Sequence, residues 1–489
     1  MSDQNKQSPD IHRAAANRID NATQAVQDLA KQIKDDPLRP DFHFRAPAGW
    51  MNDLHAIFHD GSKYHIFYQH NPYKDYWDTL HWGHAVSKDL LHWEHMPVAL
   101  SPAPENNEAH CYSGGAAITD SGLPLLYYTS IPNGSKENAD AMYDAYQCIA
   151  TPTDDAYITW DNYSHDIMMM PHKTHDGKTI YDWRDPFIFT YEDEKYMILT
   201  GNLNKREGGD SHIFTYKAAN SDLNKWDYQG ILYSHPNPHL QSMECANLIS
   251  CSNDDWVLFH SPYDLPEYAI GTMSKDDQGI LKFTEITNGI MDYSPDIYAP
   301  TAFKATDGRN LVIGWIRGFP ENKHWSGCAS IPCELTTKDG VLYQRPMREM
   351  AQLRSKQYDD FSGDVKSDVV DCITLGNCTE IICHLTNDDA KLYGLTLETE
   401  HTQELSINID LRRFKINNRA LHQKNSVDKD HKIHIFVDKS VIEIFVDDRF
   451  AFTYVAHNTN DNMTLKAFSR GGSMHINAQA WEIKKVWND

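Results

Sequence analysis

Long apolar runs are missing from this chain of 489 residues. No stretch approaches the roughly 18 consecutive apolar residues of a membrane-spanning helix. The first ten residues hold no apolar core of the kind a secretory signal carries. A membrane partner is not expected, and cytoplasmic residence is. Basic residues are also short: 45 Lys and Arg stand against 69 Asp and Glu, a net charge of −24. That excess repels nucleic acid and anionic lipid and leaves a neutral ligand as the better fit. The nine cysteines, scattered from Cys111 to Cys383, form no close CxxC pair, so a zinc knuckle is excluded and reduced thiols are the default. No glycine-rich phosphate loop and no basic cluster is present either. The histidines His70, His81, His84, His92 and His95 follow no ligand spacing and lie among aromatic strand residues. Hydrogen-bonded histidines are therefore expected there, and no metal site.

A chain this long implies two domains. Residues 12–34 read as one helix, because Ile19, Ala22, Val26, Leu29 and Ile33 recur at alternating steps of three and four until Pro37 and Pro40 stop the pattern. Beyond it one unit repeats: a strand, a polar turn and a second strand. The copies span 56–69, 114–129, 186–200, 247–261 and 301–316, turning at Asp60-Gly61, Asp120-Ser121-Gly122, Glu192-Asp193, Asn253-Asp254 and Asp307-Gly308. Their flanking runs, such as Leu125-Leu126-Tyr127-Tyr128 and Trp256-Val257-Leu258-Phe259, are apolar, aromatic and β-branched, as buried strands require. Five such hairpins imply a five-bladed β-propeller over 41–346, preceded by a helical extension over 1–40. After a connector over 347–361 the pattern changes to long alternating strands, at 404–414, 432–437, 441–446 and 463–468. These predict a β-sandwich over 362–489. The fold class is thus all-β: propeller, then sandwich, with a short N-terminal helix. The sandwich acids form no recognisable constellation, so its expected role is structural, including contact between copies in a homo-oligomer.

The chemistry lies a few residues ahead of each hairpin. There stand Trp50-Met51-Asn52-Asp53, Tyr112-Ser113, Arg184-Asp185, Glu244-Cys245 and Tyr298, in that order. Equivalent positions in repeated blades lie at equivalent distances from the axis, so these side chains should converge at one mouth of the channel. Three carboxylates beside Trp50, Trp77, Trp82, Tyr112 and Trp315 suit a sugar, since aromatic faces cover sugar C–H surfaces while acids bind hydroxyls. Glycosidic hydrolysis needs one carboxyl protonated and another ionised. Arg184 is expected to keep Asp185 ionised, and apolar surroundings to hold the proton on Glu244.

With these segments in view, the chain resembles glycoside hydrolase family 32, the invertases, sucrose-6-phosphate hydrolases and fructanases. The resemblance rests on Trp50-Met51-Asn52-Asp53, Phe67-Tyr68-Gln69-His70-Asn71-Pro72, Trp82-Gly83-His84, Tyr112-Ser113-Gly114, Arg184-Asp185-Pro186 and Glu244-Cys245. It extends to Asp296-Ile297-Tyr298-Ala299 and to the sandwich segment running from Asp438 to Phe445. It implies a retaining β-fructofuranosidase in which Asp53 is the nucleophile, Glu244 the general acid/base and Asp185 a stabiliser of the transition state. Asn52, Gln69, Trp77, Tyr112, Ser113, Arg184 and Trp315 would line the fructose subsite, and no cofactor is implied.

Where the family carries Pro-Asn-Gly after the nucleophile, this chain has Leu54-His55-Ala56. The change removes a rigid proline and a permissive glycine, so the wall beside Asp53 is expected to differ in shape and the leaving-group preference with it. The altered loop keeps a fructosyltransferase open as an alternative. Two more distant readings are an inverting five-bladed hydrolase, with carboxyls about 6.5–9.5 Å apart rather than about 5 Å, and a non-catalytic sugar-binding propeller, which would need no proton donor. Lys74, His55 and Arg317 are the rim residues nearest to serving a phosphorylated leaving group.

Overall fold

The computed structural model describes residues 9–33, 36–134, 145–162, 167–168, 174–203, 209–410, 412–422, 428–456 and 462–487. Its one α-helix among these, Pro9–Ala30, starts before the expected segment and ends short of it, and Lys34 lies outside the described residues. The apolar spacing persists past the helix because Gln32 and Ile33 continue in a tighter turn, their N–H groups reaching Leu29 O and Ala30 O, while Ile33 stays buried.

From Gly49 to Pro346 most strands fall into consecutive antiparallel sheets built the same way, each a meander of neighbours. The first strands of the successive sheets are Gly49–His59, Glu108–Ile118, Tyr181–Tyr191, Glu244–Ser250 and Ile297–Lys304. The turns use the expected chemistry. Glu192 and Asp193 both adopt positive φ (48° and 62°), which matches a two-residue hairpin to the twist of its strands. Gly61, Gly122 and Gly308 supply the left-handed position in three others. Trp325–Ser326, from within the fifth sheet's long connection, pairs in parallel with Gly49 and Trp50 and so joins the last sheet to the first. This is an N-terminal β-propeller.

The C-terminal part is a β-sandwich. One sheet runs Arg354–Gln357, Ser473–Ile483, Cys378–Asn387, Asp430–Asp438, Val441–Val446 and Phe450–Val455, and Phe361–Lys366 also pairs with Ser473–Ile483. The facing sheet holds Val369–Leu375, Met463–Arg470, Leu392–Glu398, Gln403–Asp410, Arg413–Ile416 and Arg419–His422. Alternate aliphatic residues of both sheets, such as Ile381, Ile407, Ile435 and Leu465, form one buried cluster between them. The single strand expected over 404–414 is broken in two: the Asp410 carboxylate accepts the N–H groups of Arg412 and Arg413 and turns the chain. The stretch read as a connector already contributes a strand, Arg354–Gln357, to the first sheet.

The sandwich acids do have a task, in joining the two domains. Asp438, fully buried, accepts the backbone N–H groups of Asp41, Phe42 and His43 at 2.6–2.9 Å. The His43 ring spans Asp438 (Nδ1 to Oδ2, 2.8 Å) and Glu443 (Nε2 to Oε1, 2.7 Å). Glu443 also accepts the Ile331 N–H from the propeller. Burial alone would lower the His43 pKa, but the two carboxylates override it and raise it to about 9. A charged imidazolium thus bolts the sandwich to the start and end of the propeller chain.

Candidate active site

All five first strands break register at the same level. The shifts fall between Met51 and Leu54, Tyr112 and Gly114, Arg184 and Phe187, Glu244 and Asn247, and Tyr298 and Thr301. Each bulge interrupts the alternation of side chains and aims one toward the axis. Asp185, Cys245 and Ala299, inside three of these bulges, take positive φ (60°, 52° and 47°), a backbone cost concentrated at one place. Gly114 is required at the second: a Cβ there would stand 1.8 Å from Tyr127 O.

The bulged strands bring Asn52, Asp53, Tyr112, Ser113, Arg184, Asp185 and Glu244 into the wall of one cavity of about 360 Å³, which Gln69, Trp77 and Trp315 from neighbouring segments complete. Of the aromatics expected beside the acids, Trp77, Tyr112 and Trp315 line this cavity, while Trp50 and Trp82 do not. A second cavity of the same volume opens farther along the same strands, lined by Ala56, Phe187, Leu248, Phe303 and their neighbours. No carboxylate lines it, so it lacks the pair of acids that glycosidic hydrolysis needs.

The three acids occupy distinct environments. Asp53 Oδ2 accepts the Ser113 hydroxyl at 2.6 Å and the Cys245 thiol at 3.2 Å. Asp185 accepts the Cys245 N–H at 2.9 Å. Burial raises the Asp185 carboxyl to about 7, more than the Arg184 guanidinium and the Cys245 N–H lower it. The expectation that Arg184 holds Asp185 ionised is therefore corrected. The guanidinium is spent elsewhere, on Asp182 and on Glu244 Oε1 at 2.7 Å, and only its Nε approaches Asp185, at 3.5 Å. Glu244 carries a raised pKa, as expected, because burial outweighs Arg184 and Tyr298. Its neighbours, however, are polar: the Tyr298 hydroxyl donates to Oε2 at 2.5 Å.

Around the acids, Trp50 Nε1 donates to Asn52 Oδ1, and Asn52 Nδ2 to Gln69 Oε1, which fixes both amides. Trp77, 45% exposed, stacks on His110 at 5.4 Å and meets the edge of Tyr112. Trp50 packs edge-on against Trp315 behind the wall. Trp82 is not at the site. It is wholly buried in its blade, with its indole N–H given to Tyr112 O, because the strand His81–Ser87 is two strands out from the axis.

Leu54, His55 and Ala56 do not shape the cavity wall. Leu54 and His55 are buried, and the His55 ring lies 4.1 Å from that of Trp82. Burial holds His55 neutral, its pKa lowered to about 3. Ala56 takes φ 50°, the left-handed region where the family's glycine would sit. The missing glycine is thus absorbed as backbone strain beneath the site. Sequence reasoning also passed over Asp182 and Tyr263. Asp182 is two residues from Arg184, a spacing that could have flagged it. Tyr263 lies in a strand-to-strand loop with no periodic signal.

The histidines of the first blade are hydrogen-bonded, His70 to Trp50 O, His81 to Thr79 O, and His84 to His65. Among the described residues one trio, His235, His260 and Glu267, brings ligand atoms within 4.8 Å of one another. The His235 Nδ1 accepts the Asn237 N–H, so the ring proton sits on Nε2 and points at Glu267, 3.1 Å away. A protonated nitrogen cannot ligate, and the trio reads as a hydrogen-bonded clamp. No described helix is long and apolar enough to cross a membrane.

The comparisons with known proteins agree with this geometry. The sequence matches the Glycosyl hydrolases family 32 N-terminal domain over residues 43–346 and the Glycosyl hydrolases family 32 C terminal region over residues 351–482. It is 29% identical over 440 residues to a sucrose-6-phosphate hydrolase of Escherichia coli, covering 84% of this chain and 87% of that one. It is 27% identical to a levanase of Bacillus subtilis, covering 93% of this chain and 71% of the other. Among solved structures, a β-fructofuranosidase of Bombyx mori superposes with a TM-score of 0.79 at 22% identity, over 96% of this chain and 99% of that one. The chain belongs to glycoside hydrolase family 32.

Proposed function

We propose that this family member hydrolyses terminal β-D-fructofuranosides, such as sucrose, sucrose 6-phosphate or fructo-oligosaccharides, with retention of configuration. Asp53 attacks the anomeric carbon while Glu244 gives its proton to the departing oxygen, leaving a fructosyl ester on Asp53 and a free alcohol. Glu244, now ionised, takes a proton from water, whose oxygen displaces Asp53 and releases fructose. Asp185 and Asn52 bind fructose hydroxyls as positive charge builds on the ring.

The observation that supports this best is the division of labour among the three carboxyls. Glu244 is buried and holds its proton to higher pH, as an acid must. Asp53 sits at the cavity wall with hydroxyl and thiol donors on one oxygen, which leaves the other for attack. The nine cysteines are all free, which fits action in a reducing, cytoplasmic setting; association of copies through the β-sandwich completes the reading.

The test is fructose release from a panel of sucrose, sucrose 6-phosphate and inulin- and levan-type oligomers, with the anomer formed first followed by NMR. Release of β-fructofuranose supports the retaining mechanism. Inversion, or no release from any member, overturns it.

A further inference from the structure

Tyr263 is tied to the proposed acid from both ends. Its backbone N–H donates to the Tyr298 hydroxyl at 3.0 Å, and that hydroxyl donates to Glu244 Oε2. Its own hydroxyl accepts from Arg184 Nη2 at 3.1 Å, the same nitrogen that binds Glu244 Oε1. The tyrosine therefore brackets the Glu244 carboxyl, one link to each oxygen. It does so at φ 61°, a conformation costly for a bulky aromatic and natural for glycine. The N–H half of the bracket requires no ring, since any backbone N–H would hold Tyr298 equally well; only the Arg184 contact uses the phenol oxygen.

Tyr263 lines the cavity and is 56% exposed, and among the described residues no aromatic ring packs on its face. Trp77, by contrast, is anchored on His110 and Tyr112. Any oxygen that Glu244 protonates must lie within hydrogen-bond reach of it, so the group attached to that oxygen lies against whatever flanks Glu244 on the solvent side. Of the residues that line the cavity and are tied to Glu244 through Arg184 or Tyr298, Tyr263 is the exposed one.

We propose that Tyr263 is a specificity-determining residue for the leaving group: its exposed face is the platform on which a sugar leaving group stacks, and its hydroxyl proton, free of Arg184, is available to a leaving-group oxygen. The inference rests on the fructosidase reading. It places the recognition of neutral sugar rings on the acid's side of the cavity, separate from the fructose contacts around Asp53.

The test uses the full chain and two substrates, sucrose and methyl β-D-fructofuranoside, which share the fructosyl unit while the second has no ring to stack. Tyr263→Ala should lower kcat/KM for sucrose roughly tenfold more than for the methyl fructoside. The excess loss should appear mainly in KM. Tyr263→Phe, which keeps the face, should retain the wild-type ratio within about threefold. Equal losses on both substrates in Tyr263→Ala make the residue a support for Glu244 and Arg184 and overturn the platform. So does an unchanged ratio with unchanged rates. If the wild-type protein releases fructose from neither substrate, the fructosidase reading itself fails and the platform falls with it, an outcome distinct from the other two.

Discussion

Replacing His43 with glutamine removes the positive charge between Asp438 and Glu443 and should destabilise the protein in a pH-dependent way. The rise from 6.5 to about 9 corresponds to about 3 kcal/mol in favour of the charged ring in the folded chain. Breaking a buried ion pair by removing one partner costs about 3–5 kcal/mol, a range that includes this value. The folded pKa lies above the unfolded one. The stabilisation is therefore complete below about pH 6.5 and disappears as pH rises through about 9. At about 2.1 cal/mol/K per residue, a 489-residue chain melting as one unit has an unfolding entropy near 1 kcal/mol/K. The loss then appears as a fall in Tm of about 3–5 °C. Circular-dichroism melts of wild type and His43→Gln at a fixed scan rate, at pH 6 and at pH 10, measure it. The gap should be full at pH 6 and shrink to about 1 °C or less at pH 10. Because every other titrating group is common to both proteins, a gap of equal size at the two pH values would mean that His43 is neutral when folded, refuting the charged clasp.

Asp53→Asn should reduce turnover at least about a thousandfold with an unchanged melting curve, since the amide fills the same volume but cannot form the ester; steady-state rates within tenfold of wild type would remove Asp53 from the role of nucleophile. Glu244→Gln should harm alkyl fructosides far more than fructosides whose leaving group departs without a proton, and equal losses across a leaving-group series would sink the acid assignment. Restoring Pro-Asn-Gly at 54–56 should move kcat/KM for all substrates together, because none of the three residues lines the cavity. A change in leaving-group preference or in the ratio of transfer to hydrolysis would contradict that placement. Ala56→Gly alone should raise Tm by about 1 °C, since it relieves roughly 1 kcal/mol of left-handed strain.

Much of the site was legible because the chemistry rides on a repeat. Once the hairpins from 56 to 316 were aligned, Asp53, Ser113, Asp185, Glu244 and Tyr298 fell at one level, and the structure gathers all five at one cavity. The means of gathering was not legible. A bulge adds a residue without altering the apolar pattern on either side, so the register shifts at Asp53 and Cys245 left no sequence signal. Trp82 was misplaced for a related reason: an aromatic in a blade strand away from the axis and one at the mouth read alike until the strand order is known. Arg184 shows a third limit. Adjacency in sequence suggested Asp185 as its partner, while the folded chain gives its guanidinium to Glu244, sixty positions away. The clasp shows the same limit at greater distance, since the partners of Asp438 lie 395–397 positions earlier.

The parallel pairing of Trp325–Ser326 with Gly49 and Trp50 has a meaning in time as well as in space. Domains fold from the N-terminus as the chain leaves the ribosome. The strand bearing Asn52 and Asp53 emerges first, yet the edge facing away from the second strand of its sheet stays uncovered until residue 326 has been made. Through that interval the ring stands open at its first sheet, although Asp185 and Cys245 have already been made. Closure of the ring therefore waits on Trp325–Ser326, and a chain ending before Trp325 carries all three carboxyls of the cavity on a ring whose last sheet is not joined to its first.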